Sequence, residues 1–136
     1  MTSEEAVDVI FGIFKDVWDL TGFDAVYDDK PGQKPVTETV WARATVQHST
    51  GRQSSLAGAL ATRRYTETGT VTVQVFAPIG AGRTECYQAA ERVRDAYRDA
   101  RNPEVWFRNA RIVEAGSEGA FTQINVLATF SYDQVR

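Results

Sequence analysis

Very few side chains in this chain are equipped for chemistry. There is one histidine, His48, and one cysteine, Cys86. A glycine-bounded turn, Gly80-Ala81-Gly82-Arg83-Thr84, follows a strand-like run and opens a helix-like one. A nucleophilic hydrolase needs a base beside its nucleophile, held in place by a third group. Any Ser–His or Cys–His site here would therefore have to use His48. It stands next to Ser49 in a polar stretch without the Gly-x-Ser-x-Gly elbow of a strained strand-to-helix turn, and it reads as an exposed loop histidine. Cys86 falls on the inner side of a helical pattern, where a thiol behaves as a small hydrophobe.

The remaining chemistries lack their parts. One histidine and one cysteine cannot build a structural zinc site, and no calcium-loop spacing occurs. Asp28-Asp29 reads as a turn, and no pair of carboxylates stands out as an acid and base. A helix N-terminus after a strand suits phosphate, because its first N–H groups lack partners. The phosphate-binding loop, however, requires Gly, four residues, then Gly-Lys-Ser/Thr. Here Ala77 occupies the first glycine position and Arg83 the lysine position, so a structural turn is the better account. The expectation is a protein that is not an enzyme and needs no cofactor or metal.

The elements around these residues follow from periodicity. Thr2 and Glu5 have the spacing of a capping box, which starts a helix near Ser3. Val7, Ile10, Phe11, Phe14, Val17 and Trp18 recur at three- and four-residue steps, and Thr21-Gly22 ends the run. A short strand is expected near Ala25 to Tyr27, then an exposed loop from Asp28 to Val36. Thr39 to Gln47 reads as a strand with Val40, Ala42, Ala44 and Val46 on one face. His48 to Leu60 reads as a long polar loop, which in a compact domain is generally functional or disordered. Val71, Val73 and Val75 mark a half-buried strand. A second helix is expected from Arg83 to Arg101, with Cys86, Ala90, Val93 and Tyr97 inward, closed by Asn102-Pro103. Val105 to Ala115 and Phe121 to Tyr132 complete the set around a turn at Gly116 to Gly119. The order is α-β-β-β-α-β-β: an α+β fold, with two helices on one face of a mainly antiparallel mixed sheet.

Size and charge narrow the function. At 136 residues, 43% hydrophobic and 24% charged, the chain fits one globular domain spanning residues 1–136. Acids at the start (Glu4, Glu5, Asp8) and the lack of a long apolar run predict neither a secretory signal nor a membrane span. A reducing, cytosol-like compartment is expected. The net charge of −3 is uneven: the first 29 residues carry eight acids against Lys15, and the rest of the chain is net basic through arginine. That polarity suits head-to-tail self-association; a solvated helix face is the plainer reading. Arg92 to Arg101 alternate with acids, which argues against a phosphate track on nucleic acid.

One stretch goes further: Arg64-Tyr65-x-x-x-Gly69-x-Val71-x-Val73-Gln74-Val75-Phe76-x-Pro78-x-Gly80-x-Gly82, entering an amphipathic helix. With the N-terminal helix, the Trp41 strand and a C-terminal hairpin ending Phe130-x-Tyr132, it resembles the tail terminator (tail completion, or minor tail) proteins of long-tailed phages. The resemblance implies a homohexameric ring at the head-proximal end of the tail tube, assembled in the host cytoplasm. Such a ring ends tube polymerisation and offers a surface to a head–tail connector or neck protein, and DNA passes through its lumen without sequence-specific binding. It also implies that Arg52, Leu56 and Leu60 are loop contacts. Arg63 and Arg64 then meet acids of the N-terminal helix (Glu4, Glu5, Asp8) on a neighbouring subunit. The alternatives are a neck or head-completion ring protein and a small ligand-binding or enzymatic domain.

Overall fold

The computed structural model describes residues 1–27, 40–53, 64–78, 83–118 and 121–135. Helix α1 runs Ser3–Trp18, with Thr2 as its N-cap: the Thr2 hydroxyl accepts from the Glu5 N–H at 3.2 Å. Every fourth residue, Ala6, Ile10, Phe14 and Trp18, is fully buried. The chain turns sharply after it. The Thr21 hydroxyl donates to the Trp18 carbonyl at 2.6 Å, Gly22 takes φ +74°, and the Trp18 indole N–H donates to the Asp24 carbonyl at 3.1 Å. These contacts place strand β1 (Asp24–Tyr27) beside the helix it has just left.

Strands β2 (Trp41–Gln53) and β3 (Arg64–Pro78) form a long antiparallel pair. Helix α2 (Arg83–Arg98) follows, then β4 (Val105–Glu118) and β5 (Phe121–Val135). The sheet order is β1-β2-β3-β5-β4. Only β1 against β2 is parallel among the described pairs, so the sheet is mixed, as the sequence predicts. α2 packs on β3, β4 and β5, and α1 packs on α2 and β2, so both helices cover one face.

That covered face holds the core. Val71, Val73, Val75 and Ala77 of β3 meet Ile124, Val126, Ala128, Phe130 and Tyr132 of β5, all essentially buried. α2 contributes Cys86, Ala89, Ala90, Val93 and Tyr97. The Tyr97 hydroxyl donates to the Ile10 carbonyl at 2.9 Å and ties the helices together. Full burial of one such aliphatic or aromatic side chain contributes about 1.5–3 kcal/mol. Among the described glycines, Gly69 is the one where a side chain would not fit. A Cβ there would lie 2.6 Å from the tip of the Phe130 ring and would collide with the Gln47 carbonyl oxygen, so the ring occupies the space a side chain on its ladder partner would need.

Three boundaries differ from the sequence expectation. His48 to Gln53 belong to β2, not to a loop: they pair with Tyr65 to Gly69 across one register shift between His48 and Thr50. Backbone pairing with β3 overrides a Ser/Thr/Gly-rich composition there. Residues 54–63, which include the rest of the expected loop, lie outside the described residues. β4 also continues through Gly116, which sits at φ +80° beside a register shift, and pairs to Glu118 opposite Phe121. Strand pairing thus runs through Gly116, Ser117 and Glu118 of the expected turn, and Gly119 lies outside the described residues. α2 ends at Arg98, three residues early; Asn102 then accepts from the Glu104 and Val105 N–H groups and redirects the chain into β4.

Candidate assembly surfaces

The isolated chemical groups find structural partners. Cys86 is fully buried, its thiol aimed at the Val75 carbonyl 3.8 Å away, and desolvation pushes its pKa up to about 11. His48 is on a strand, where a loop was expected. Its Nε2 lies 2.7 Å from the Tyr132 hydroxyl, which donates to the Ser3 hydroxyl at 3.0 Å, and its ring meets Phe130 edge-on at 5.4 Å. This chain of contacts fastens the start of α1 to the end of the sheet. Trp18 is a core residue, as the helix stripe predicts. The phosphate-like turn at 79–82 and the Asp28-Asp29 pair lie outside the described residues. Among the described residues no charged side chain is buried, and no three His, Cys, Asp or Glu side chains cluster as a metal site would require.

Two exposed surfaces stand out instead. The first is the outward side of α1. Glu4, Glu5, Asp8, Asp16 and Asp19 are exposed there against Lys15, which is paired to Asp19 at 3.0 Å. The pairing raises the Lys15 pKa, through the hydrogen bond to Asp19 first and its charge second. Glu5 also accepts from the Thr2 hydroxyl, so it is partly committed to the helix cap. Beside this acidic line, Ile13 and Val17 of α1 with Leu20 just past its end, and Ala96 of α2 with Ala100 just past its end, line an open groove of about 500 Å³, rimmed by Asp16 and Arg101. Leu20 is 77% exposed at its edge.

The second surface is the face of the sheet turned away from the helices. Its β2 corner is filled: Trp41 stacks on Phe76 with ring centroids 4.3 Å apart, and the Arg43 guanidinium lies over the indole at 5.7 Å. Its β4 side is open. Trp106 is 50% exposed and Val113 is 44% exposed, with Arg108 and Arg111 between them. A bulge makes this arrangement. Arg108 pairs with Thr129 and Arg111 with Leu127, so β4 holds one residue more than β5, and Asn109 takes φ 56° to accommodate it. The extra residue shifts the phase of β4, leaving both arginines outward while Phe107 and Ile112 pack on the core.

Of the expected interface residues, Glu4, Glu5 and Asp8 are exposed on α1. Arg52 pairs with Thr66, and Arg64 begins β3 opposite Val135. Leu56, Leu60 and Arg63 lie outside the described residues. Trp106, a strand tryptophan that the sequence leaves open as core or interface, is half-exposed; Arg108, Arg111, Val113 and Leu20 did not stand out in the sequence. The available signal was Leu20, an apolar residue closing the outward row Glu4, Asp8, Gly12, Asp16.

The family model described as phage tail terminator protein matches residues 12–120. The chain belongs to that family. It is therefore a structural protein of the phage tail, from a family that is not an enzyme family. A solved structure with 16% sequence identity superposes with a TM-score of 0.64, covering 100% of this chain and 99% of the other, and shares the fold. No curated protein matches the sequence.

Proposed function

We propose that this protein forms a homohexameric ring that caps the head-proximal end of the tail tube, stops its polymerisation and presents a surface to a head–tail connector or neck protein. The family match over residues 12–120 carries the reading. The molecule is built consistently with it: an acidic helix layer and an apolar, arginine-bearing sheet face lie on opposite sides of one domain. Surfaces of unlike character on opposite sides make heterologous contacts, which close into a ring when the rotation per subunit divides the circle evenly. Capping then follows from asymmetry. One ring face complements the last tube hexamer, and the other lacks what would recruit another. DNA passes through the lumen without sequence-specific contacts, and assembly takes place in the host cytoplasm. Arg52, near the end of β2, serves as a contact together with Leu56 and Leu60 further along the sequence, and Arg63 and Arg64 serve as partners for Glu4, Glu5 and Asp8 of the next subunit.

Mixing the protein with purified tail tubes and imaging the ends tests this. A ring at one end of each tube is expected. Decoration of tube walls, or no association with tubes, overturns the reading. A ring found one layer nearer the capsid, away from the tube, indicates the neck role instead.

A further inference from the structure

We infer that His48, Tyr132 and Ser3 act as a latch coupling the first turn of α1 to the outer end of β2, so that loosening either element loosens the other. The three residues come from β2, β5 and α1 and meet through one phenol. Nε2 of His48 lies 2.7 Å from the Tyr132 hydroxyl, and that hydroxyl donates to Ser3 at 3.0 Å. With the Tyr132 proton committed to Ser3, His48 supplies its own hydrogen through Nε2. Edge-on contacts to Phe130 and Tyr132, at 5.4 and 5.7 Å between centroids, set the plane of the imidazole. Tyr132 is fully buried, whereas His48 and Ser3 are exposed. The core thus fixes the middle of the latch and leaves its two outer members on element ends.

Both ends have few ties of their own. β1 pairs with β2 only at residues 41–44, so from residue 45 onward β3 is the one strand beside β2 among the described pairs. The register then shifts between His48 and Thr50. Two steps of β2 answer to the single step from Gly69 to Thr68, and the extra residue, Ser49, donates its hydroxyl to the Thr68 carbonyl at 3.1 Å. A bulge of this kind bends the strand and interrupts its ladder. His48 is the last residue before the interruption, and its side chain reaches past β3 to β5. At the other end, Thr2 caps α1 and Ala6 is the first fully buried residue of the helix, with Ser3 between them. Weakly tied segments open locally, and two that share a tie open in concert. The effect is the same in either direction, as linkage requires. On the ring reading, the joined ends carry proposed contacts: Glu4 and Glu5 follow Ser3, while Arg52 and Arg64 lie on the strand ends opposite Thr66 and Val135. The latch itself belongs to the free chain, so its test needs no ring.

Amide hydrogen exchange tests the coupling, with each variant read at the element it does not alter. His48→Ala should speed exchange at residues 5–7 about tenfold, the factor that one hydrogen bond's net stabilisation gives. Ser3→Ala should do the same at residues 50–53. Alanine is the better helix former, so a weakened α1 would not explain that result. The double variant should exchange no faster at either place than the single ones, because one latch is broken only once. His48→Gln, whose amide N–H takes the place of Nε2–H, should restore the slow rates. Tyr132→Phe keeps the ring in the core, removes the hydroxyl, and should release both places together. Exchange in the middle of α2 should not change in any variant. Quickening confined to the substituted element, or effects that add in the double variant, would overturn the coupling. So would a general quickening that includes α2, which marks an ordinary loss of stability.

Discussion

The two faces of the single sheet are built from the same strands and obey different rules. On the helix-covered face, β3 and β5 place small and aromatic apolar residues opposite one another, with no charged side chain among the described core. On the other face the same strands carry Thr, Gln, Asn and Ser, relieved by aromatic and arginine residues at the margins. The first face is closed by the molecule's own helices. Among the described residues, the second is filled at the Trp41–Phe76 corner and exposed at Trp106 and Val113 of β4. On the proposed ring reading, the difference separates folding from assembly. A substitution on the covered face should cost stability, and one on the β4 ridge should cost only association.

The sharpest break comes from the centre of the covered face. Phe130→Ala should lower the unfolding free energy by about 3–5 kcal/mol, read by chemical denaturation. A change below 1 kcal/mol would mean that Phe130 is not core. Next is Gly69→Ala, which forces a methyl against Phe130 and the Gln47 carbonyl; overpacking of this kind costs about 1–3 kcal/mol. Its cost should shrink when combined with Phe130→Leu, because the ring is half of the clash.

How far these faces can be read from sequence depends on whether the strands keep phase. In β5 the period of two runs unbroken from Ile124 to Tyr132, and the buried residues are the ones the alternation predicts. β3 behaves likewise. In β4 the bulge at Asn109 breaks the phase, so Arg108 and Arg111, three apart, share a face that no strict alternation gives them. The β2 extension to Gln53 was hidden for another reason. Its polar composition matches a loop, and only pairing with a distant segment makes it a strand. Single residues were legible where burial alone decides, as at Trp18 and Cys86. The β4 ridge and the groove between the helices were not, because only folding decides which exposed apolar residues lie together.

A pH series gives a smaller effect. Burial raises the pKa of Cys86 to about 11 and that of Tyr97 further, so both groups are held neutral in the fold. Stability from them is complete below the unfolded cysteine value of 9.0 and is lost as pH rises toward 11. The thermal midpoint should therefore fall across that window, and Cys86→Ala should flatten the decline. A midpoint constant from pH 8 to 11 would contradict the burial of both groups.

The smallest effect on stability is expected at the ridge. Trp106→Ala should change the unfolding free energy by less than about 0.5 kcal/mol, as surface substitutions do, while the yield of rings on tubes drops. A large loss of stability there would erase the distinction between the faces.

Tube growth measures the central claim most directly. Tail tubes are supplied with excess tube protein, and their length is followed with and without this chain. Growth at the capped end should stop once about one ring is present per tube, an amount far below the tube subunits. Continued lengthening at saturating protein would contradict the capping account.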